Sequence, residues 1–454
     1  MPSAECRVPS SVRARPTGPL RLLLLACILL LPARSFAQSQ APLSTQRSVL
    51  STRHSVLIEE QTAEADFPAS VEIRLEASGF ETARAELNYR LVGDSVTAGI
   101  RAEVEEVTSS PDLGVTLDLT TAYLPPGTQV EYYWTLTDPL GNTAETPTQS
   151  FKLIDERYRW KSLTDAQGRV TVNWYEGGSG FGKTLLGVAT EALDRLQNDI
   201  DAGLTRPAEV WVYASQDELL DALPANIPEW VGGKAFPQLA LVMAAIADDN
   251  MAELEIKRTI PHELSHLVLY QATRNPYNAP PAWLDEGLAV YNQEAHDPAE
   301  EEALRWAAEH GAILPLNSLS GSFGADEDAA LLAYAQSHSA VEFLLTDSRY
   351  GPDKLARTVA AFREGVTYDE AFRAGLGVTV DEIDQQWLAS LPYEVAPDRE
   401  TVAASALDLL VWIAASIGLL LFSAGGLLTA IILVRRRRPA HAGATNPHPP
   451  APNL

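Results

Sequence analysis

Cysteine is nearly missing: the chain has two in 454 residues, Cys6 and Cys27. Both fall in an N-terminal stretch that reads as a cleaved leader. The mature chain therefore has no disulfides, and its domains must be held by packing alone. Positive charge is also short. Lys and Arg total 34 against 60 Asp and Glu, a formal charge of −26. That excludes nucleic-acid binding as a main role, because phosphate recognition needs a positive surface. The commonest consequence of such acidity is solubility, and it says little about fold. Long apolar runs are absent except near the two ends, and no internal repeat is present.

Those two runs set the expected location. Arg7, Arg13, Arg15 and Arg21 precede an apolar stretch from Leu22 to Leu31, followed by small residues at Ser35-Phe36-Ala37. This is the layout of a secretory signal peptide over residues 1–37. Leu409 to Val434 is almost wholly apolar, long enough to cross a hydrocarbon core of ~30 Å. Arg435 to Arg438 follow directly, and positive charge marks the cytoplasmic side. The expectation is a single-pass cell-membrane protein with its N-terminal bulk outside, a stalk at 396–408, a transmembrane helix at 409–434 and a cytoplasmic tail at 435–454.

Between the ends the pattern changes twice. Residues 38–65 are polar without periodicity and read as a linker. From 66 to 155 apolar residues alternate, as in Val71, Ile73, Leu75; Val115, Leu117, Leu119; and Val130, Tyr132, Trp134, Leu136. Turn signals at Pro125-Pro-Gly127 and Pro139-Leu-Gly-Asn142 separate them. Short strands at this spacing read as an antiparallel β-sandwich, and Leu124 to Trp134 resembles an immunoglobulin-like or fibronectin-like module. From 156 to 395 strand candidates (Val170–Tyr175, Glu209–Tyr213, Leu239–Ile246) give way to helices. Ser215-Gln-Asp-Glu218, Thr367-Tyr-Asp-Glu370 and Thr379-Val-Asp-Glu382 are capping boxes. The fold class is α+β: a sandwich, then a small sheet with a helical lobe.

Two motifs compete for the function. Gly177 to Thr184 spells GGSGFGKT, the G-x-x-x-x-G-K-[ST] string of phosphate-cradling loops, between a strand and a helix. An extracellular position argues against it. So do the roughly eighty residues before the next motif, too few for a complete nucleotide-binding sheet of βαβ units. No bound nucleotide is expected. The second motif is His262-Glu-Leu-Ser-His266. Residues four apart share a helix face, so two imidazoles can meet one ion. Glu263 points alongside, placed to take a proton from water. Zinc (Zn2+) suits this pair. A third ligand is needed, and Glu286 in Pro281-Ala-Trp-Leu-Asp-Glu-Gly-Leu-Ala-Val-Tyr291 lies far enough on for the chain to reverse and return a carboxylate. The metzincin continuation is excluded by Leu269 and Ala272. Pro261, directly before His262, must either start the motif helix or leave one of its backbone bonds unmade.

HELSH with WLDEGLAVY resembles the gluzincin (thermolysin-like) metallopeptidases, in particular the peptidase MA-like group. Arg258 to Leu269, Tyr334 to Leu344 and Tyr350 to Leu355 agree, and the similarity spans roughly 160–392. The resemblance implies a catalytic zinc held by His262, His266 and Glu286, with Glu263 as general base and proton shuttle. It further implies Tyr334 as a donor to the oxyanion, with His338 a rival one turn on. Asp285 should point off the metal, in a solvated or outer role. The G-x-M-E-N signature of the exopeptidases is absent, so endopeptidase is the default. By family layout, Trp230 to Phe236 would be the edge strand that receives an extended peptide substrate. The rival readings are a surface adhesion protein that keeps the zinc fold without turnover, and a nucleotide hydrolase.

Overall fold

Alternation along the first third of the chain becomes two antiparallel sheets in the computed structural model, which describes residues 56–224, 227, 231–323 and 326–394. The expected leader, most of the linker, Trp230, the stalk, the membrane span and the tail lie outside the described residues. Among the described residues no helix is long and apolar enough to cross a membrane. The strands are β1 (Leu57–Asp66), β2 (Ser70–Ser78), β3 (Arg84–Leu91), β4 (Ala98–Ala102), β5 (Asp112–Asp118), β6 (Gln129–Thr137), β7 (Thr143–Glu145) and β8 (Gln149–Lys152). One sheet has the order β1-β2-β5; the other runs β4-β3-β6-β7, with β8 also on β6. Successive side chains in a strand face opposite ways. Val71, Ile73 and Leu75 thus meet Leu87, Trp134 and Leu136 in one core, all fully buried. β1 takes up the end of the stretch read as linker. None of its side chains is buried, so it has no alternation to read, and it is held by its ladder to β2.

The second region adds β9 (Lys161–Thr164), β10 (Val170–Trp174), α1 (Ser179–Ile200), β11 (Ala208–Tyr213), α2 (Gln216–Ala222), β12 (Gly233–Phe236) and β13 (Leu241–Ala245). Its sheet has the order β12-β13-β11-β10-β9. The three inner strands are parallel, and the two outer ones run antiparallel to their neighbours. Helices follow: α3 (Ala252–Thr273), α4 (Ala282–Tyr291), α5 (Pro298–Glu309), α6 (Glu327–Thr346), α7 (Pro352–Phe362), α8 (Tyr368–Gly375) and α9 (Val380–Ser390). The boxes at Thr367 and Thr379 close in both directions, side chain to backbone each way, and start α8 and α9. Ser215 caps α2 by accepting from the Glu218 N–H.

The period of two makes this sheet serve two cores. Val210 and Val212 face α1 and α3, whereas Trp211 and Tyr213 join the cluster of the N-terminal sheets. At the junction Asp155 is fully buried. It accepts hydrogen bonds from Arg157 at 2.8 and 2.7 Å and from the Tyr213 hydroxyl at 3.0 Å. A buried carboxylate without such partners would be costly.

Behind the site, α4 lies close on α6. A Cβ on Gly287 would stand 2.4 Å from the Ser337 carbonyl oxygen and 2.6 Å from Val341 Cγ2. Helix propensity alone would favour Ala at position 287 by about 1 kcal/mol. The contact with backbone cannot yield, and overpacking costs about 1–3 kcal/mol, so the clash wins. Gly287→Ala should lower the denaturant midpoint and, by moving the neighbouring Glu286, weaken divalent-metal affinity. Unchanged values of both would show that α4 can shift freely.

Candidate metal centre

The motif helix begins ten residues before His262, so Pro261 sits inside α3. Proline has no N–H to give the carbonyl four residues back. That carbonyl, Lys257 O, instead accepts from the Glu294 N–H at 3.0 Å. The chain leaving α4 is thereby tied to α3. Asn292 reinforces the tie: its side-chain amide donates to Pro261 O at 3.2 Å and to Ser265 Oγ at 2.9 Å. Arg195 of α1 donates to Asn292 Oδ1 and O and pairs with Glu294. Between these two anchors stands Gln293, whose amide lies 2.9 Å from His262 Nδ1.

His262 and His266 come from consecutive turns of α3, and Glu286 from α4. His262 Nε2 and His266 Nε2 each stand 3.5 Å from Glu286 Oε2. The three ligand atoms lie within 4.8 Å of one another. Glu286 Oε2 is buried and has no hydrogen-bond partner among the described residues. Buried polar atoms are rarely left so, and an exception calls for an occupant. His266 Nδ1 meets Asp285 Oδ1 at 2.8 Å, which orients the ring and leaves Nε2 facing the gap. Two imidazoles, each oriented by an outer partner, and a carboxylate fit a zinc ion.

The electrostatics agree with the geometry. Burial alone would lower the His266 pKa, but Asp285 and Glu286 outweigh it and raise the ring to about 10. Burial would likewise raise Glu286, yet His266 and His262 hold that carboxyl below its ordinary value. The pocket is thus a negative well that draws a positive charge.

Glu263 is buried beside the ligands. It lies under the edge strand: a Cβ on Gly233 would stand 2.8 Å from Glu263 Oε1, so any side chain there would crowd the carboxylate. A cavity of about 580 Å³ opens over these groups, lined also by Lys234 and Tyr334. The Tyr334 ring is 6.2 Å from that of His262. Burial, then Glu286 and Glu263, raise its pKa, so it stays a hydrogen-bond donor at neutral pH.

His338 differs from expectation. It lines a separate cavity and faces Glu300, with Nδ1 3.4 Å from Glu300 Oε2. Four residues carry the helix about 40° past a full turn, and His338 lines the cavity with Glu300 while Tyr334 lines the one over His262 and His266, so His338 is no rival to Tyr334. Asp285 takes the outer role on His266. Gln293 and Gly233 escaped the sequence reading. Nothing in the residues after α4 advertises Gln293; the one clue was Pro261, whose missing donor must free a carbonyl for some other segment.

A family model of the Peptidase MA superfamily matches residues 188–392. The matched segment runs from within α1 to just past α9 and contains every residue placed around the gap. It supports a peptidase-like function for this region. Comparison with curated proteins finds no match.

Asp285→Asn removes the charge that orients His266 while keeping the shape. Metal affinity should fall about 10–100-fold, read by competition with a chromogenic chelator. Unaltered affinity would mean that packing alone sets the ring.

Proposed function

We propose that the chain is a cell-surface zinc metallopeptidase of gluzincin type, anchored by one membrane span and cutting within peptide chains. The observation that carries the reading is Glu286 Oε2, without a hydrogen-bond partner among the described residues and set 3.5 Å from both imidazole Nε2 atoms.

Bound there, zinc would supply Lewis acidity, lowering the pKa of water and polarising a carbonyl. Each remaining task has a residue. Glu263, under the space left by Gly233, takes the proton of the attacking water and delivers it to the leaving amine. Tyr334 keeps its proton and donates to the developing oxyanion. β12 is an outer strand of its sheet among the described residues, and its outer edge can pair with an extended substrate by β-augmentation. The cavity over the site shares Pro237, His266 and Asp285 with an adjoining one of about 350 Å³. Room for peptide on both sides of the gap supports an endopeptidase over an exopeptidase.

Location rests on the sequence: the basic-apolar leader at 1–37 and the apolar run 409–434 before four arginines. The GGSGFGKT string remains without a role. Asp248 Oδ2 stands 2.7 Å from a Cβ placed on Gly177, and a carboxylate against the loop opposes phosphate.

Glu263→Gln should keep stoichiometric zinc and lose hydrolysis of a peptide library, while Tyr334→Phe should cut kcat about 10²-fold with little change in KM. Equal cleavage by Glu263→Gln and wild type would reject the mechanism. A zinc-loaded wild type that cuts no peptide would leave the adhesion reading in its place.

A further inference from the structure

A second group of metal-type ligands lies outside this machinery. His296 sits in the loop before α5, two residues ahead of Pro298 at the helix start. Glu300 is in the first turn of α5, and His338 is in the middle of α6. One ligand atom from each lies within 4.8 Å of the others. The two imidazole rings stack, with centroids 4.7 Å apart and planes 15° apart. Glu300 Oε2 is buried and has no hydrogen-bond partner among the described residues. Its nearest basic atom, His338 Nδ1 at 3.4 Å, is beyond the reach of a strong charged hydrogen bond.

We propose that His296, Glu300 and His338 form a second divalent-cation site, of the type that takes zinc, separate from the HExxH centre. Three arguments support it. A buried, unsatisfied carboxylate oxygen costs free energy that a cation would recover. Two imidazoles and one carboxylate select zinc or a similar transition ion over calcium or magnesium, which prefer oxygen alone. The group also opens on a cavity of about 520 Å³ lined by Glu342, so water can complete the coordination. The competing arrangement is a simple ion pair between protonated His338 and Glu300, which has no use for His296.

The site joins the start of α5 to the middle of α6, and α6 carries Tyr334 one turn before His338. A cation here ties the oxyanion donor's helix to its neighbour. Its role is structural, since none of its ligands lines the cavity over the HExxH centre.

The test is metal content of the full chain, dialysed against micromolar free zinc and measured by elemental analysis. Wild type should hold about two equivalents. His262→Ala/His266→Ala should hold one, and its melting temperature should rise with added zinc. Adding His296→Ala, a change at an exposed residue, should abolish both the remaining equivalent and the rise. His296→Ala alone should keep the HExxH metal. A folded His262→Ala/His266→Ala protein that binds no zinc would overturn the second site; so would one whose zinc survives His296→Ala. These outcomes are independent of peptidase activity. Failure of the catalytic reading would instead show as a wild type that gains nothing from His262 and His266.

Discussion

Three side-chain atoms surround a gap that none of them can close. The two imidazole nitrogens and the Glu286 oxygen are too far apart for strong hydrogen bonds, and the oxygen is shut off from water. Holding them so requires two helices from different parts of the chain to stay in fixed register. The fold supplies that register with backbone rather than bulk. Gly287 lets α4 settle on α6, and Pro261 leaves a carbonyl on α3 that the chain beyond α4 must satisfy. A missing side chain and a missing donor, each unfavourable locally, are what bring the acid to the bases.

Much of this was legible from residue order. HELSH announces two rings on one helix face because 3.6 residues per turn allow nothing else, and the capping boxes mark where helices begin. Strands with strict alternation, β2, β5 and β6, could be read directly. β1 could not, because all its side chains are at least partly exposed. α1 begins inside the GGSGFGKT string rather than after it: Ser179 to Lys183 are already helical. Tertiary packing overrides propensity there. Gly182 meets the Trp174 ring so closely that a Cβ would collide with it at 2.3 Å, and that contact is invisible in sequence.

Side-chain direction was the hardest part to foresee. Tyr334 and His338 occupy the same helix one turn apart. Spacing alone assigns them one face, but the first lines the HExxH cavity and the second turns to Glu300 on α5. The neighbour across the groove decides, and it is separated by more than thirty residues of chain. Function lives in such placements more than in the fold itself.

The central sheet belongs to two cores at once. Trp211, Tyr213 and Met243 point away from the helical lobe into the cluster of the N-terminal strands. Cutting the chain at residue 156 would therefore strip aromatic surface bare on the back of the sheet whose outer strand, β12, lines the cavity over His262 and His266. The front module acts as a lining rather than an appendage, and replacing it would mean remaking the reverse face of the sheet in the peptidase-like region.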